Sequence, residues 1–236
     1  MRLSAPIYRL KRRAKILARA ERIPLNQALD RLAREEGFNS WSLLVARVSA
    51  VAPASALLTR LAPGDLVLLG ARPGHGKTLM GLELIVEAMK SGRRGVFFTF
   101  EYNKKDIFNR FPTISAGITR FRDRFEFEDS DAISADYIIN YLTSAPQRTV
   151  VVIDYLQLLD QRRENPALMV QICALKSFAR DRGLILVFIS QIDRSYDPLT
   201  KPCPSLEDVR LPNPLDLTLF NKTCFLHDGE VQIEAS

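Results

Sequence analysis

Short apolar runs alternate with helical patterns along most of the chain. Runs rich in Val, Ile, Leu and Phe are typical of buried strands, and apolar residues recurring every three or four positions are typical of helices. The predicted strands lie at 66–69, 96–100, 125–127, 149–153 and 184–189, followed by two terminal strands. The predicted helices between them lie at 77–90, 103–111, 134–142 and 166–181. This alternation predicts an α/β fold with a mostly parallel sheet, which binds ligands at the carboxyl ends of its strands.

The start of the chain shows only the helical pattern. Leu10, Ala14 and Leu17 share one face of a first helix, and a second and a third helix follow before residue 47. We expect Trp41, the only tryptophan, to close a small core between these helices.

A change in composition separates this segment from the rest of the chain. We predict a basic helical mini-domain over 1–47, a linker over 48–58 that is rich in small residues, and an α/β domain over 59–236. The 236 residues are sufficient for one large domain and a small appendage.

Composition excludes several classes of protein. With 47% apolar and 25% charged residues, the chain resembles neither collagen nor a disordered protein. It contains no apolar run of roughly 18 residues, and its first residues lack the features of a secretion signal, so we expect a cytoplasmic protein without a membrane span. Cys173, Cys203 and Cys224 are predicted to be reduced thiols, because three cysteines and two histidines form neither a disulfide framework nor a zinc set.

The net charge of +6 is unevenly distributed. The first 50 residues contain 11 Lys and Arg against 4 Asp and Glu, which gives +7, so the remaining residues sum to −1. The polar face of the first helix is therefore a candidate for contacts with nucleic-acid phosphates; a solvated face is the alternative. The candidate DNA-binding residues are Arg9, Lys11, Arg12, Arg13 and Lys15, together with Arg194 after the last internal strand.

A glycine loop between the first strand and its helix carries the strongest chemical pattern. The sequence ARPGHGKT follows the apolar run LVLLG and fits the phosphate-loop pattern, with Ala in place of the first Gly. Lys77 is expected to reach the β- and γ-phosphates, and Thr78 to offer its hydroxyl to Mg²⁺. The candidate nucleotide-binding residues are Ala71, Arg72, Pro73, Gly74, His75, Gly76, Lys77, Thr78 and Leu79.

Three polar residues at strand ends complete the predicted site. Asp154 follows the run TVVVI and is assigned to Mg²⁺ through water. Glu101 follows VFFTF and is assigned as the catalytic base that polarises the attacking water. Gln191 follows LILVFIS and is assigned to the γ-phosphate as a sensor.

The segments GARPGHGKT, FFTFE, VVVIDYLQLL and LVFISQIDR resemble, in order and approximate spacing, the RecA-like motor domain of DnaB-type replicative DNA helicases. The resemblance covers about residues 60 to 211. It implies a RecA-like P-loop ATPase that uses ATP and Mg²⁺, acts on single-stranded DNA and forms a homo-oligomer, for which a hexameric ring is one option. It also implies catalytic roles for Lys77, Asp154, Glu101 and Gln191.

Two departures from that family keep a second function open. The mini-domain stands where the family has a large helical domain and a linker helix, and Lys222 has no matching arginine for the family's trans-acting pair. The first hypothesis is an ATP-hydrolysing, helicase-like protein acting on DNA in replication, recombination or plasmid and mobile-element maintenance. The alternative is a nucleotide-switched DNA- or protein-binding regulator that does not unwind DNA.

Overall fold

The computed structural model describes residues 4–5, 7–48, 53–115, 118–160, 162, 164–197, 201, 203–211, 213–227 and 230–235. The chain forms a small N-terminal unit and a large unit that begins at Ala54. The helices of the described part are α1 (Ile7–Glu21), α2 (Leu25–Glu35), α3 (Trp41–Val48), α4 (Pro53–Arg60), α5 (Lys77–Lys90), α6 (Lys104–Ile114), α7 (Ala135–Tyr141) and α8 (Leu168–Arg182). The strands are β1 (Leu66–Ala71), β2 (Gly95–Thr99), β3 (Phe125–Glu128), β4 (Val150–Asp154), β5 (Ile185–Gln191), β6 (Lys222–His227) and β7 (Glu230–Ala235).

The seven strands of the described part form one sheet in the order β3-β2-β4-β5-β1-β6-β7. Strands β1 to β6 pair with their neighbours in parallel. The strands β1, β2 and β4 are buried along their whole length because the sheet is covered on both faces. The predicted α/β class with a mostly parallel sheet is confirmed.

Each face of the sheet carries its own apolar core. Along β1, Val67 and Leu69 pack into one core, while Leu66 and Leu68 pack into the other, as the two-residue period of a strand requires. Helix α5 covers the first face, and a Cβ added at its Gly81 would lie 3.0 Å from Val152 Cγ1 and Ile189 Cδ1. The helix therefore approaches the sheet so closely that a larger residue at this position would require neighbouring side chains to shift.

The segment predicted as a linker contains a helix. Helix α4 occupies Pro53–Arg60, and its Ala54 and Leu57 are completely buried in the core that α5 covers. The small residues and the one proline are typical of a linker, although the apolar residues of this segment recur at helical spacing. Residues 53–58 of the predicted linker are therefore helical and partly buried; residues 49–52 lie outside the described part, and the domain limits stay predictions.

The described part of the N-terminal unit contains three helices, where the sequence pattern predicts them. Leu10, Ala33 and Leu44 are buried together, and Trp41 packs against them. The backbone N–H of Trp41 donates a hydrogen bond of 2.8 Å to Asp30 Oδ1, which fixes the start of α3 against α2. None of the helices in the described part combines the length and the apolar composition that a membrane span needs.

The cysteines differ in their surroundings, and none of the three forms a disulfide. Cys173 is exposed on α8, whereas Cys224 is completely buried in β6. Burial raises the pKa of the Cys224 thiol to about 12. Since the thiolate is the reactive form, the two cysteines should react very differently.

We expect a thiol reagent at pH 8 to modify Cys173 in the native protein and to leave Cys224 unmodified until the protein is unfolded. Peptide mass spectrometry after short labelling measures both sites. The variant Cys173→Ser is the control for the exposed site. Equal labelling of the two cysteines under native conditions would contradict the burial of β6.

Candidate functional site

The predicted phosphate loop lies between β1 and α5, at the carboxyl edge of the sheet. Gly74 and Gly76 adopt φ values of 79° and 82°, which side chains with a Cβ rarely tolerate. Gly76 is the N-cap of α5, and its carbonyl accepts a 2.9 Å hydrogen bond from the backbone N–H of Met80. The first N–H groups of an α-helix have no partner within the helix, so this loop and helix start can bind an anion.

A buried hydrogen bond joins this helix to the strand that carries the predicted metal-binding acid. Thr78 Oγ1 donates to Asp154 Oδ2 at 2.7 Å, and both residues are buried. Thr78 lies in the first turn of α5, and Asp154 is the last residue of β4. The structure therefore brings together two residues 76 positions apart that the sequence analysis assigned to Mg²⁺.

Asp154 occupies an unusual electrostatic environment. The pKa of its carboxyl group is raised to about 6; burial is the largest cause, and the charge of Glu101 acts in the same direction. The hydrogen bond from Thr78 and the charge of Lys77 act in the opposite direction and lower this pKa. An added cation beside the carboxylate would favour its ionised form.

The residues present fit a magnesium ion. Asp154 Oδ1 is buried and has no hydrogen-bond partner among the described residues, so this oxygen is available to a further group. A carboxylate and a hydroxyl are oxygen ligands of the kind Mg²⁺ prefers. The described part contains no group of three or more His, Cys, Asp or Glu side chains that would hold a metal.

Glu101 lies close enough to Asp154 for its charge to act on that residue. Thr99, the last residue of β2, is level with Asp154 in the sheet, and its Oγ1 accepts a 3.0 Å hydrogen bond from the N–H of Glu101. The Glu101 side chain is exposed. The two predicted acids therefore lie at the same edge of neighbouring strands, as their positions in the sequence indicated.

Gln191 is the last residue of β5, so this strand is longer than the predicted 184–189. It lies level with Ala71, the last residue of β1, where the phosphate loop begins. Its backbone carbonyl accepts a 2.8 Å hydrogen bond from the N–H of Arg210, and its side chain is half-buried. Gln191 is thus anchored by its backbone beside the loop.

Two further residues near this edge carry no sequence signal that singled them out. Arg110 on α6 lowers the pKa of Asp154, and its guanidinium lies 4.7 Å from the ring centroid of Tyr102. His227, the last residue of β6, stacks on His75 of the loop, with 5.9 Å between ring centroids. Arg110 lies far in the sequence from Asp154, and His227 lies far from His75. The fold, and not a local sequence pattern, brings each pair together.

The predicted DNA-binding residues lie on α1 of the N-terminal unit and in the turn after β5. The side chains of Lys11, Arg12, Arg13 and Lys15 on α1 are exposed, and Arg13 forms an ion pair of 3.2 Å with Glu35. The side chain of Arg9 lies outside the described part. Arg194 is exposed in the turn after β5. Their role in DNA binding remains a prediction.

A family profile described as "ATPase: KaiC" matches residues 55–203, which include the phosphate loop, Glu101, Asp154 and Gln191. The chain belongs to the KaiC ATPase family. It is a P-loop ATPase with a RecA-like fold.

Helicases of the DnaB type are among its relatives. The replicative DNA helicase DnaB of Mycoplasma genitalium is 24% identical over 197 residues, which are 67% of this chain and 42% of the helicase. The chain thus spans less than half the length of that relative.

Two solved structures share the fold. A DnaB-like replicative helicase, described with its interactions with primase, has a TM-score of 0.58 at 17% identity, and the match covers 94% of this chain and 66% of the helicase chain. A KaiC-like protein from Pyrococcus horikoshii has a TM-score of 0.54 at 16% identity, and the match covers 73% of this chain and 79% of the archaeal chain.

We expect Asp154→Asn to stabilise the protein in the absence of nucleotide and divalent cation. Because the folded pKa of about 6 exceeds the ordinary value of 3.8, the folded state binds the proton more tightly. The stability of the wild-type protein therefore falls as the pH rises through this range. The neutral variant avoids that loss, so at pH 7.5 its free energy of unfolding should be higher by about 2–3 kcal/mol.

Urea unfolding at pH 7.5 in the presence of a chelator measures this difference. The exposed residue Asp129 provides the matched control, since Asp129→Asn removes the same charge from the surface. If Asp154→Asn were no more stable than the wild type, the carboxylate would not be desolvated as the structure has it.

Proposed function

We propose that the chain binds ATP with Mg²⁺ at the carboxyl edge of the sheet, hydrolyses it, and acts on DNA. The observation that carries this proposal is the buried hydrogen bond between Thr78 and Asp154 beneath the phosphate loop. It places a hydroxyl and an orphaned carboxylate oxygen beside a helix start that can hold phosphate. Family membership supports the ATPase part, and the names of the relatives support the DNA part.

Each proposed role follows from a position at this edge. Lys77, which is buried, reaches the β- and γ-phosphates from the start of α5. Thr78 and Asp154 would hold the magnesium ion, Asp154 through water. The ion would help to neutralise the charge that develops on the phosphoryl group of ATP.

Glu101 and Gln191 act on either side of this centre. Glu101 orients the attacking water and accepts its proton, since its strand end adjoins that of Asp154. Gln191 donates a hydrogen bond to the γ-phosphate from the strand beside the loop, and the loop after β5 responds to loss of that phosphate. Loop residues Ala71 to Leu79 surround the phosphates with their backbone.

The partners follow from the relatives. We propose single-stranded DNA as the nucleic-acid partner, contacted by α1 and Arg194, and a homo-oligomer as the working form, with a hexameric ring as one arrangement. A cytoplasmic location stays a prediction.

One observation favours the second function, a nucleotide-switched regulator without unwinding. Lys222 is the residue that resembles part of the family's trans-acting pair, yet its ammonium is bonded to Asp65 of the same chain. This ion pair within the chain leaves the Lys222 ammonium less available to a neighbouring nucleotide site.

Steady-state ATP hydrolysis with and without single-stranded DNA tests the proposal. The measurement is repeated over a range of protein concentrations. A rate that DNA stimulates and that rises more than linearly with protein supports an assembling, DNA-dependent ATPase. A hydrolysis rate that DNA does not change, and that rises in proportion to protein concentration, supports the nucleotide-switched regulator. The absence of any hydrolysis would contradict both the proposed ATPase activity and the assignment of Glu101 as the base.

We expect Glu101→Gln to bind ATP normally and to hydrolyse it about 10²–10⁴ times more slowly, since the amide cannot accept the proton of the attacking water. Equilibrium ATP binding and single-turnover hydrolysis separate the two effects. Glu164→Gln, at an exposed position outside the predicted site residues, is the matched control and should behave as the wild type. Unchanged hydrolysis by Glu101→Gln would show that another residue is the base.

A further inference from the structure

A basic basin lies at the amino edge of the sheet, opposite the phosphate loop. We call it the arginine basin; it is a cavity of about 540 Å³. Its charged lining residues are Arg93, Arg94, Asp123, Arg124 and Arg148. The nucleotide site uses none of these residues.

The strand order brings these residues together. Three neighbouring parallel strands begin beside one another, because Gly95 at the start of β2 is level with Phe125 of β3 and Val150 of β4. The residues just before these strands are Arg93 and Arg94, Arg124, and Arg148. The N–H of Val150 donates a 2.9 Å hydrogen bond to the Arg94 carbonyl, which holds two of the approaching segments at one level.

The positive charge of the basin is only partly balanced. Arg94 pairs with Glu126 at 2.9 Å, and Arg124 Nη1 donates to the carbonyl of Met89 at 3.0 Å. Arg93 Nη1, by contrast, is buried and has no hydrogen-bond partner among the described residues. A buried donor without a partner is costly, and a bound anion would satisfy it.

The electrostatic environment of Arg93 also favours a bound anion. Desolvation lowers the pKa of Arg93, and the like charge of Arg148 lowers it further. Two guanidinium groups thus share a partly desolvated space. An anion between them would relieve their repulsion and accept hydrogen bonds from both.

The lining residues indicate what kind of anion fits. Guanidinium groups match the geometry of phosphate oxygens, to which they donate paired hydrogen bonds. The described lining of the basin contains no aromatic residue on which a nucleobase would stack, so the base of a nucleotide finds no partner there. Arg94 and Arg148 are exposed at its rim, which leaves it open to a long strand.

We propose that the arginine basin binds the phosphate backbone of single-stranded DNA, without reading its sequence. This inference rests on the proposed action on DNA and adds a contact surface at the edge of the sheet away from the ATP site. A strand bound there contacts the residues that precede β2 and β4, whose carboxyl ends lead to Glu101 and Asp154.

The test is fluorescence anisotropy of a labelled single-stranded oligothymidylate with the full chain, titrated at several salt concentrations. We expect Arg93→Gln/Arg148→Gln to reduce the affinity about tenfold or more, since charged hydrogen bonds to phosphate are removed. The dependence of log K on log salt should flatten by about 0.7 for each phosphate that the variant no longer neutralises. The variant should lose affinity by the same factor for oligonucleotides of different base composition.

Arg60→Gln/Arg180→Gln removes two charges from exposed positions and is the matched control. Basal ATP hydrolysis and the thermal unfolding midpoint should stay at wild-type values in both double variants. The single variant Arg148→Gln, at an exposed position, provides the test if the double variant does not fold.

Wild-type affinity and salt dependence in the basin variants would overturn the inference and leave the proposed function intact. An equal reduction in the control would also overturn it, because the effect would then be one of net charge. If the wild-type chain bound no DNA, both this inference and the DNA part of the proposed function would fail. ATP hydrolysis by the same sample would then show whether the ATPase part stands.

Discussion

The hydrogen bond between Thr78 and Asp154 is the interaction on which the candidate site depends. It joins the first turn of α5 to the end of β4, although β5 separates β4 from the strand that leads into α5. The helix must therefore cross the sheet closely, and Gly81 permits this by packing against Val152 and Ile189 without a Cβ.

The same strand order separates two kinds of charge. At the carboxyl edge, a buried acid lies under the influence of Glu101, Lys77 and Arg110, and burial is the largest cause of its raised pKa. At the amino edge, arginines from three neighbouring strand starts converge. A parallel sheet allows both groups of charged residues to form, because it places all strand starts at one edge and all strand ends at the other.

Much of the fold and of the candidate site could be predicted from local sequence patterns. The phosphate loop and the acids at strand ends are short patterns with flanking apolar runs, so the sequence alone predicts that Lys77, Thr78, Glu101 and Asp154 lie at one edge of the sheet. Helix α4 was missed because its small residues resemble a linker. Arg110 and the arginine basin were missed because they depend on which strands become neighbours, and β3, β2 and β4 are adjacent in space although their starts are widely spaced in the sequence.

The proposed function requires the carboxyl edge of the sheet to be a single nucleotide site. Titration calorimetry with a slowly hydrolysed ATP analogue and Mg²⁺ tests it most directly. We predict one site per chain in the wild-type protein and no measurable binding by Lys77→Ala, because the lysine charge no longer balances the phosphates. Undiminished binding by Lys77→Ala would show that the nucleotide binds elsewhere.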